Sequence, residues 1–218
     1  MSRSAAPSGP QTRTGYHHGD LRRALIDAAL KDIATIGPAH VSLRALARSA
    51  GVSHAAPAYH FTDKTGVFTA IATEGFQLLH DSQLRTIEGT EPSETLLPLA
   101  VNYVTFALDH PSHYEVMWRE DLYDPADAAL IAARAEVFDS FYQSVAAGTG
   151  EVEPDRFSGA VAAAWSMVHG FATLWLSGNL AAIVGTDPIA ATDEVARGLV
   201  AIADVTSRQL ETTQPASS

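Results

Sequence analysis

Short segments that contain proline divide this chain of 218 residues into stretches of helical length, and this division is the strongest constraint on its fold. The breaks after residue 88 are GTEPS, HPS, YDP, GTGEVEP and GTDP, and each carries a proline, a residue that ends helices. No stretch between them alternates apolar and polar residues as a strand would. The pattern predicts an all-α protein of about nine helices, the last five spanning roughly residues 93–109, 112–119, 125–147, 155–178 and 188–210.

The first 88 residues contain the other four predicted helices. Apolar residues recur at helical spacing from near His18 to Ile36, where Gly37-Pro38 ends the helix. Ser42 is a typical N-cap for a second, short helix, LRALARSA. A third helix is predicted in HAAPAYHF with Ser53 as its N-cap, and a fourth from about Asp63 to Glu88.

Pro57 is the unusual residue of the third predicted helix. With Ser53 as the N-cap, Pro57 is the fourth helical residue, so it removes the hydrogen bond back to the Ser53 carbonyl. Because proline is tolerated better at the start of a helix, we expect a slightly irregular first turn. A segment with no helix at all is the alternative.

The charge of the chain is unevenly distributed. The whole chain carries −11, but residues 1–66 hold eight Lys or Arg against four acidic residues, a net charge of +4. The remainder holds six basic against 21 acidic residues, a net charge of −15. A basic head on an acidic body predicts that the head alone binds a polyanion. Chance clustering of basic residues in a tail is the alternative.

Composition argues against several other classes of protein. The chain has no cysteine, which excludes a disulfide framework and a thiolate site. The N-terminal segment lacks the apolar core of a signal peptide, and no window is apolar enough to span a membrane, so we expect a cytoplasmic protein. There is no Gly-x-Ser-x-Gly elbow and no Gly-rich phosphate loop, and Pro111 interrupts the spacing of His110 and His113. We therefore expect no enzymatic activity, no cofactor and no metal site.

The order of the first three predicted helices is that of a helix-turn-helix unit. A longer helix is followed by two short ones that a tight turn at Gly51 connects. In such a unit the second short helix enters the major groove of DNA, and the first crosses the backbone. The small residues Ala55 and Ala56 would let the second short helix approach the base edges closely.

Two parts of the chain resemble a known family. YHHGDLRRALIDAALKDIATIG and VSLRALARSAGVSHAAPAYHFTDKTGVFTAIA, within residues 16–75, resemble the N-terminal DNA-binding domain of the tetracycline-repressor (TetR) family. WSMVHGF, from Trp165 to Phe171, is similar to the Trp-His-Gly (WHG) signature of one C-terminal domain type in that family. The resemblance implies a transcriptional regulator, expected to be a repressor, that binds a near-palindromic operator as a homodimer and is released by a small, apolar effector. The alternative is a helical interaction protein or an enzyme with no role on DNA.

The resemblance also implies which residues contact DNA. They are Tyr16, His17 and His18 in an N-terminal arm, Ser42 and Arg44 at the start of the backbone-crossing helix, Ser53, His54, Ala55 and Ala56 at the start of the recognition helix, and Tyr59, His60 and Lys64 near phosphates. Many members of the family carry a tyrosine at the position of Ala58, so it stays open whether Tyr59 replaces that contact. Packing of Tyr59 against the first helix, and simple solvent exposure of His54, His60 or Lys64, are alternatives.

Large side chains are concentrated between residues 90 and 180, where a helical bundle can enclose an apolar cavity. The residues expected to line such an effector site are Asn102, Tyr103, Phe106, His113, Tyr114, Met117, Trp118, Phe138, Phe141, Trp165 and His169. Ordinary core packing is the alternative for each of them.

Domain boundaries and partners follow from these assignments. Residues 1–15 and 212–218 are expected to be disordered tails, 16–65 the DNA-binding domain, and 66–211 the effector-binding and dimerisation domain. The resemblance implies that the last two helices pair with the same helices of a second chain. The expected partners are double-stranded operator DNA, a small-molecule effector and a second copy of the chain, with no membrane.

Overall fold

A computed structural model describes residues 18–53, 55–149 and 159–185, together with the single residues 187, 190, 191 and 194. Regular structure in these residues is entirely helical, which confirms the predicted fold class. The α-helices are α1 (His18–Ile36), α2 (Leu43–Ser49), α3 (Ala56–His60), α4 (Lys64–Ile87), α5 (Leu96–Asp109), α6 (Pro111–Met117), α7 (Ala128–Thr149), α8 (Gly159–Leu176) and α9 (Ala181–Val184). Not one of these helices has the length and apolarity that crossing a membrane requires.

Side chains cap the starts of α2 and α4: the cap at Ser42 was predicted, whereas for α4 only a start near Asp63 was predicted. The hydroxyl oxygen of Ser42 accepts a hydrogen bond from the N–H of Ala45 at 3.3 Å. The carboxylate of Asp63 accepts one from the N–H of Gly66 at 2.9 Å. Each side chain satisfies a backbone donor that the first turn of a helix leaves without a partner, so both helices begin at a fixed residue.

The turn between α2 and α3 depends on Gly51. Its φ is +67°, a conformation that strains other residues. The N–H groups of Gly51 and Val52 donate to the carbonyls of Arg48 and Ala47 at 3.1 and 3.0 Å, which is the pattern of a Schellman motif. Gly51 therefore sets the direction in which the chain leaves α2.

The start of α3 differs from the prediction. The helix spans Ala56–His60 with Ala55 as its N-cap, so Ser53 is not the cap. Pro57 is the second helical residue rather than the fourth, and an N–H at that position would have no intrahelical partner. The expected loss of a hydrogen bond was therefore wrong. The carbonyl of Pro57 also accepts from the N–H of Phe61 at 2.8 Å, which closes the short helix.

α4 joins the head, α1 to α3, to the body, α5 to α8. Its 24 residues correspond to a length of about 36 Å. It packs against α1 in the head and against α5, α6 and α7 in the body. Its most buried apolar side chains are Val67, Phe68, Ile71, Ala72, Phe76 and Leu79. One continuous apolar core consequently extends from α1 to α8.

The body helices begin near the predicted residues, with two differences. Pro92–Glu94 form a separate 3-10 turn, so α5 starts at Leu96. α7 starts at Ala128, because the carboxylate of Asp127 accepts a hydrogen bond from the N–H of Leu130 at 2.9 Å. Both differences shorten a predicted helix by about one turn at its N-terminal end.

The structure describes only part of the C-terminal region for which helices are predicted. The helix predicted over residues 155–178 is described from Gly159 onward. α9 lies in a segment for which no helix was predicted. The predicted helix over 188–210, apart from three single residues, and both predicted tails lie outside the described residues.

Candidate DNA-binding surface and effector cavity

The outer side of the helix-turn-helix is basic and carries a large aromatic side chain. Arg44 and Arg48 on α2 are exposed, as are Ala55 and Ala58 beside or within α3. Tyr59 on α3 is 76 % exposed. The alternative in which its ring packs against α1 is therefore wrong. This surface offers cations and a phenol hydroxyl, the groups that contact phosphates and bases.

The structure also gives the positions of three other residues that are predicted to contact DNA. Ser42 is exposed and its hydroxyl caps α2. Ser53 is exposed in the turn before α3. His60, at the end of α3, is half-buried, and its ring meets the ring of Tyr59 edge-on at 5.3 Å between centroids.

Lys64 contacts the head itself. Its ammonium group donates a hydrogen bond to the carbonyl of Ala39 at 3.0 Å and lies 5.3 Å from the centroid of the Phe68 ring. A purely solvated charge is therefore the wrong interpretation of this lysine. Because an ammonium has three N–H donors, a phosphate contact by Lys64 stays a prediction.

Several predicted DNA contacts lie outside the description. Tyr16, His17 and His54 are not among the described residues, and the side chains of His18 and Ala56 are not described either. The predicted N-terminal arm and the start of the recognition helix thus stay predictions.

His169 on α8 is the centre of a partly buried polar network in the body. Its Nδ1 lies 2.8 Å from the hydroxyl of Tyr103 and 3.1 Å from that of Tyr114. The Tyr114 hydroxyl also lies 2.9 Å from Oγ1 of Thr173. Burial lowers the pKa of His169 and raises the pKa of both tyrosines. The network therefore consists of neutral hydrogen bonds near pH 7.

Aromatic rings surround this network. The indole of Trp165 stacks on the His169 ring at 5.0 Å and lies 5.4 Å from Trp118. Phe138 meets both indoles edge-on, at 5.9 Å from Trp165 and 6.2 Å from Trp118. Edge-on and stacked pairs at these distances are mutually favourable, so the rings form one packed cluster on α6, α7 and α8.

A small cavity lies beside the aromatic cluster. Its volume is about 10 Å³, roughly enough for one water molecule. The described residues that line it are Gln83, Leu99, Tyr103, Trp118, Val137, Phe138, Phe141, Trp165 and Val168. A larger guest requires some of these side chains to move.

The predicted effector residues divide into three groups. Five of them line the cavity, and two more, Tyr114 and His169, contact the lining through hydrogen bonds or ring stacking. The five are Tyr103, Trp118, Phe138, Phe141 and Trp165. The remaining four are not among the residues that line it: Asn102, Phe106, His113 and Met117.

Asn102, Phe106 and Met117 have other contacts. The Oδ1 of Asn102 accepts a hydrogen bond from the hydroxyl of Ser82 at 3.2 Å, and Phe106 packs against the ring of His110. Met117 is fully buried against Gly75, where a Cβ atom would lie only 2.5 Å from the methionine sulfur. α4 and α6 are therefore in close contact at Gly75.

His113 belongs to a hydrogen-bonded chain, with Glu74 and Arg23, that connects the head with the body. Glu74 on α4 accepts from Arg23 on α1 at 2.6 Å and lies 3.1 Å from Nε2 of His113 on α6. Burial by itself would raise the pKa of Glu74, but Arg23 and His113 lower it below its ordinary value. Burial lowers the pKa of His113 despite the opposing effect of Glu74. A second link is the hydroxyl of Ser112, which donates to the carbonyl of Leu30 at 3.0 Å.

Four lining residues were not predicted, Gln83, Leu99, Val137 and Val168, and Gln83 is the polar one among them. It lies on α4 and is only 3 % exposed. The signal was present, because Gln83 follows Phe76 and Leu79 at helical spacing on the buried side of α4. A polar residue in an apolar stripe indicates a buried hydrogen-bonding group.

A second, wider cleft of about 640 Å³ runs along α4 between the end of α3 and the loop before α7. It is open, and four carboxylates are among its lining residues: Asp63, Glu74, Asp124 and Asp127. Such a lining does not suit an apolar guest, so the aromatic cavity is the better candidate for an effector site despite its small volume.

Two family models match the chain. The model described as bacterial regulatory proteins, tetR family, matches residues 25–71, and that described as tetracyclin repressor-like, C-terminal domain, matches residues 96–201. This chain belongs to the TetR family. The first match covers the helix-turn-helix and the second the aromatic cluster, so the TetR-family chain is a DNA-binding transcriptional regulator with a helical C-terminal domain. The assignment of that domain to the Trp-His-Gly type stays a prediction.

Solved structures show the same fold. A protein of unknown function from Rhodococcus sp. RHA1 is 30 % identical, with a TM-score of 0.69 over 85 % of this chain and 96 % of that one. A tetR-family regulatory protein from Rhodococcus RHA1 is 20 % identical, with a TM-score of 0.64 over 81 % and 93 %. The Bacillus subtilis regulator FadR, in complex with stearoyl-CoA, is 15 % identical, with a TM-score of 0.57 over 79 % and 94 %. No curated protein matches this TetR-family chain significantly.

Proposed function

We propose that this TetR-family chain is a repressor that binds a near-palindromic operator as a homodimer and releases it when a small effector enters the aromatic cavity. The observation that carries the proposal is α4, a single helix that begins beside the helix-turn-helix and lines the cavity with Gln83. A change at the cavity thereby has a direct physical connection to the DNA-binding surface.

The contact with DNA is assigned to the helix-turn-helix. α3 would enter the major groove with the small residues at its start near the bases, while Tyr59 and, on α2, Arg44 and Arg48 would lie near phosphates. The positive charge of the head supports this assignment, because phosphate neutralisation supplies most of the affinity that does not depend on sequence. Binding to operator DNA would place the chain in the cytoplasm.

Dimerisation is assigned to α8. Ala163, Met167, Gly170 and Leu174 are spaced along one side of this helix. Met167 and Leu174 are 37 % and 46 % exposed, and nothing described lies within 4 Å of a Cβ at Gly170. An exposed apolar stripe with a small residue at its centre suits close packing against a second copy of the same helix.

Release of DNA is assigned to a shift of α6 against α4. Trp118 lines the cavity and directly follows Met117, which packs against Gly75 of α4. A guest that displaces Trp118 would move α6, and with it the hydrogen bonds from Ser112 and His113 to Leu30 and Glu74. The complex of Bacillus subtilis FadR with stearoyl-CoA is consistent with a fold of this kind binding a small molecule.

The test is binding of the full-length chain to labelled promoter fragments of its host, measured by fluorescence anisotropy over a range of salt concentrations. We expect tight binding to a few fragments and weak binding to random duplexes. The logarithm of the affinity should fall linearly with that of the salt concentration, with a slope of about −0.9 for each phosphate neutralised. Failure to bind any fragment at low salt would contradict the proposal.

A further inference from the structure

Among the described residues, three polar atoms at the cavity have no hydrogen-bond partner. They are Oε1 of Gln83, on a side chain that is 3 % exposed, and Nε1 of both Trp118 and Trp165. Buried polar atoms in native proteins are nearly always paired, because an unpaired one loses its bonds to water without replacement. All three residues line the same cavity, so one occupant can satisfy the acceptor and at least one of the two indole donors together.

The lining carries no formal charge among its described residues. Two titratable groups lie at the lining: Tyr103, which is part of it, and His169, which contacts Tyr103 and Trp165. Both are neutral near pH 7, because burial disfavours their charged forms. The guanidinium of Arg134 lies 5.9 Å from the centroid of the Phe138 ring, but it is 41 % exposed and paired with Glu120. An anionic guest would lose its hydration in the cavity without gaining a cationic partner in the lining. The cavity thus selects against carboxylates and phosphates.

The walls favour a flat guest. Trp118, Phe138 and Trp165 present three rings whose centroids are 5.4 to 6.2 Å apart. A planar molecule can stack on or meet these rings edge-on, as they now meet one another. The present volume of about 10 Å³ means that a ring-sized guest must displace at least one of them.

We infer that the effector is an uncharged, planar molecule with one hydrogen-bond donor for Gln83 and one acceptor for the indole N–H of Trp118 or Trp165, as a lactam or other secondary amide provides. The inference rests on the proposed function, in which this cavity is the effector site. It also separates this chain from a regulator of acyl-CoA, whose phosphates require cations that the described lining does not supply.

Four bicyclic compounds of similar size test the inference by isothermal titration calorimetry on the full-length chain. Oxindole offers a donor and an acceptor, indanone only an acceptor, indane neither, and indane carboxylate a negative charge. We expect oxindole to bind about tenfold more tightly than indanone, as one additional buried hydrogen bond implies, and indane and the carboxylate to bind least. Equal or tighter binding of the carboxylate, or no binding of oxindole, would overturn the inference.

Gln83→Met tests whether the side-chain oxygen of Gln83 accepts a hydrogen bond from the N–H group of the guest. It keeps the volume and removes the acceptor, so the affinity for oxindole should fall about tenfold while that for indanone changes less than about twofold. Gln77→Met, the same change at an exposed position of α4, is the matched control. Equal losses for both compounds would show a purely structural role of Gln83. A melting temperature of Gln83→Met at or above that of the wild type shows that the variant is folded.

The outcomes separate this inference from the proposed function. A chain that binds promoter DNA but prefers the carboxylate, or ignores oxindole, keeps its role as a regulator and loses the inferred effector class. A chain that binds oxindole but no promoter fragment loses the proposed function, and the inference that rests on it also fails.

Discussion

The DNA-binding head and the effector cavity are built in different ways. In the head and at its junction with α4, neighbours in the sequence fix the helices: Ser42 caps α2, Gly51 turns the chain toward α3, and Asp63 caps α4. The cavity takes its walls from α4, α5, α7 and α8 and from Trp118 at the end of α6. The head therefore presents an exposed surface that local signals specify, whereas the cavity exists only where distant segments meet. Substitutions in the two regions should accordingly have different consequences.

The largest effect is expected at the outward side of the body. Met167→Glu places a charge at an exposed position of the proposed dimer interface, twice in a symmetric pair. The dimer dissociation constant should rise at least about 100-fold, measured by analytical ultracentrifugation. Leu84→Glu, at an exposed leucine on α4, is the control and should leave the dimer intact. A dimer that tolerates Met167→Glu would place the interface elsewhere.

The contact between α4 and α6 should be the next most sensitive. In Gly75→Ala the new Cβ meets Met117 Sδ at 2.5 Å and His113 Cβ at 3.2 Å. We expect the free energy of unfolding to fall by about 1–2 kcal/mol, because overpacking outweighs the gain in helix propensity. Gly66→Ala on the same helix meets nothing closer than 3.7 Å and should stabilise by up to about 1 kcal/mol. Urea titrations that show the same sign for both variants would contradict this close contact.

Replacing an exposed cation of the head should weaken DNA binding without lowering the free energy of unfolding. Arg44→Ala removes an exposed cation and should lower the affinity for every DNA sequence about tenfold, with the free energy of unfolding changed by less than about 0.5 kcal/mol. The control is Arg85→Ala, at an exposed position near the far end of α4. Anisotropy and urea titration on the same preparations measure the two quantities.

Lys64→Ala sharpens this distinction. The ammonium group of Lys64 donates a hydrogen bond to the carbonyl of Ala39. The loss of this bond should lower the free energy of unfolding by about 1 kcal/mol, and the loss of the positive charge should also weaken DNA binding. A loss of affinity without a loss of stability would assign Lys64 to phosphate alone. A loss of stability without a loss of affinity would assign it to the head alone.

The smallest effect concerns pH. Burial lowers the pKa of both His113 and His169, so the unfolded chain binds protons more readily than the folded one. His113 faces Glu74, His110 and Arg23, and His169 faces Tyr103 and Tyr114. Stability should therefore decline as pH falls through the ordinary histidine range of about 6.5 toward the lower folded values. Glu74, whose pKa is also lowered, loses its contribution at still lower pH.

His169→Gln tests this dependence directly. The variant removes one of the two described imidazoles whose pKa burial lowers, so its free energy of unfolding should vary less with pH than that of the wild type between about pH 7 and 5. Urea titrations at several pH values measure the slope. An unchanged slope would mean that His169 contributes nothing to the pH dependence.

The contrast between head and body also explains what could be predicted from the sequence. Ser42, Gly51 and Asp63 act on residues within five positions of themselves, so their roles follow from the local sequence. α3 was misplaced because Ser53 is a better N-cap by residue type than Ala55, although Pro57 fits only the later start.

In the body, the sequence indicated which residues are large and buried, but not which side chains of other helices they contact. Trp118, Phe138 and Trp165 were expected at the cavity and lie there, whereas His113 and Met117 face α4 instead. Helical periodicity shows which side of a helix is buried, but not which neighbour covers it. That information depends on crossing angles between helices, which a single sequence does not specify.

The unbroken course of α4 has a mechanical consequence. A rod about 36 Å long that tilts by only about 5° about one end displaces its other end by about 3 Å. In a symmetric pair of chains the two displacements add, whereas the successive major grooves of B-DNA are fixed at about 34 Å. A modest rearrangement around Gln83 would thus be amplified into a misfit of several ångströms at the operator, without any residue of the head changing its own fold.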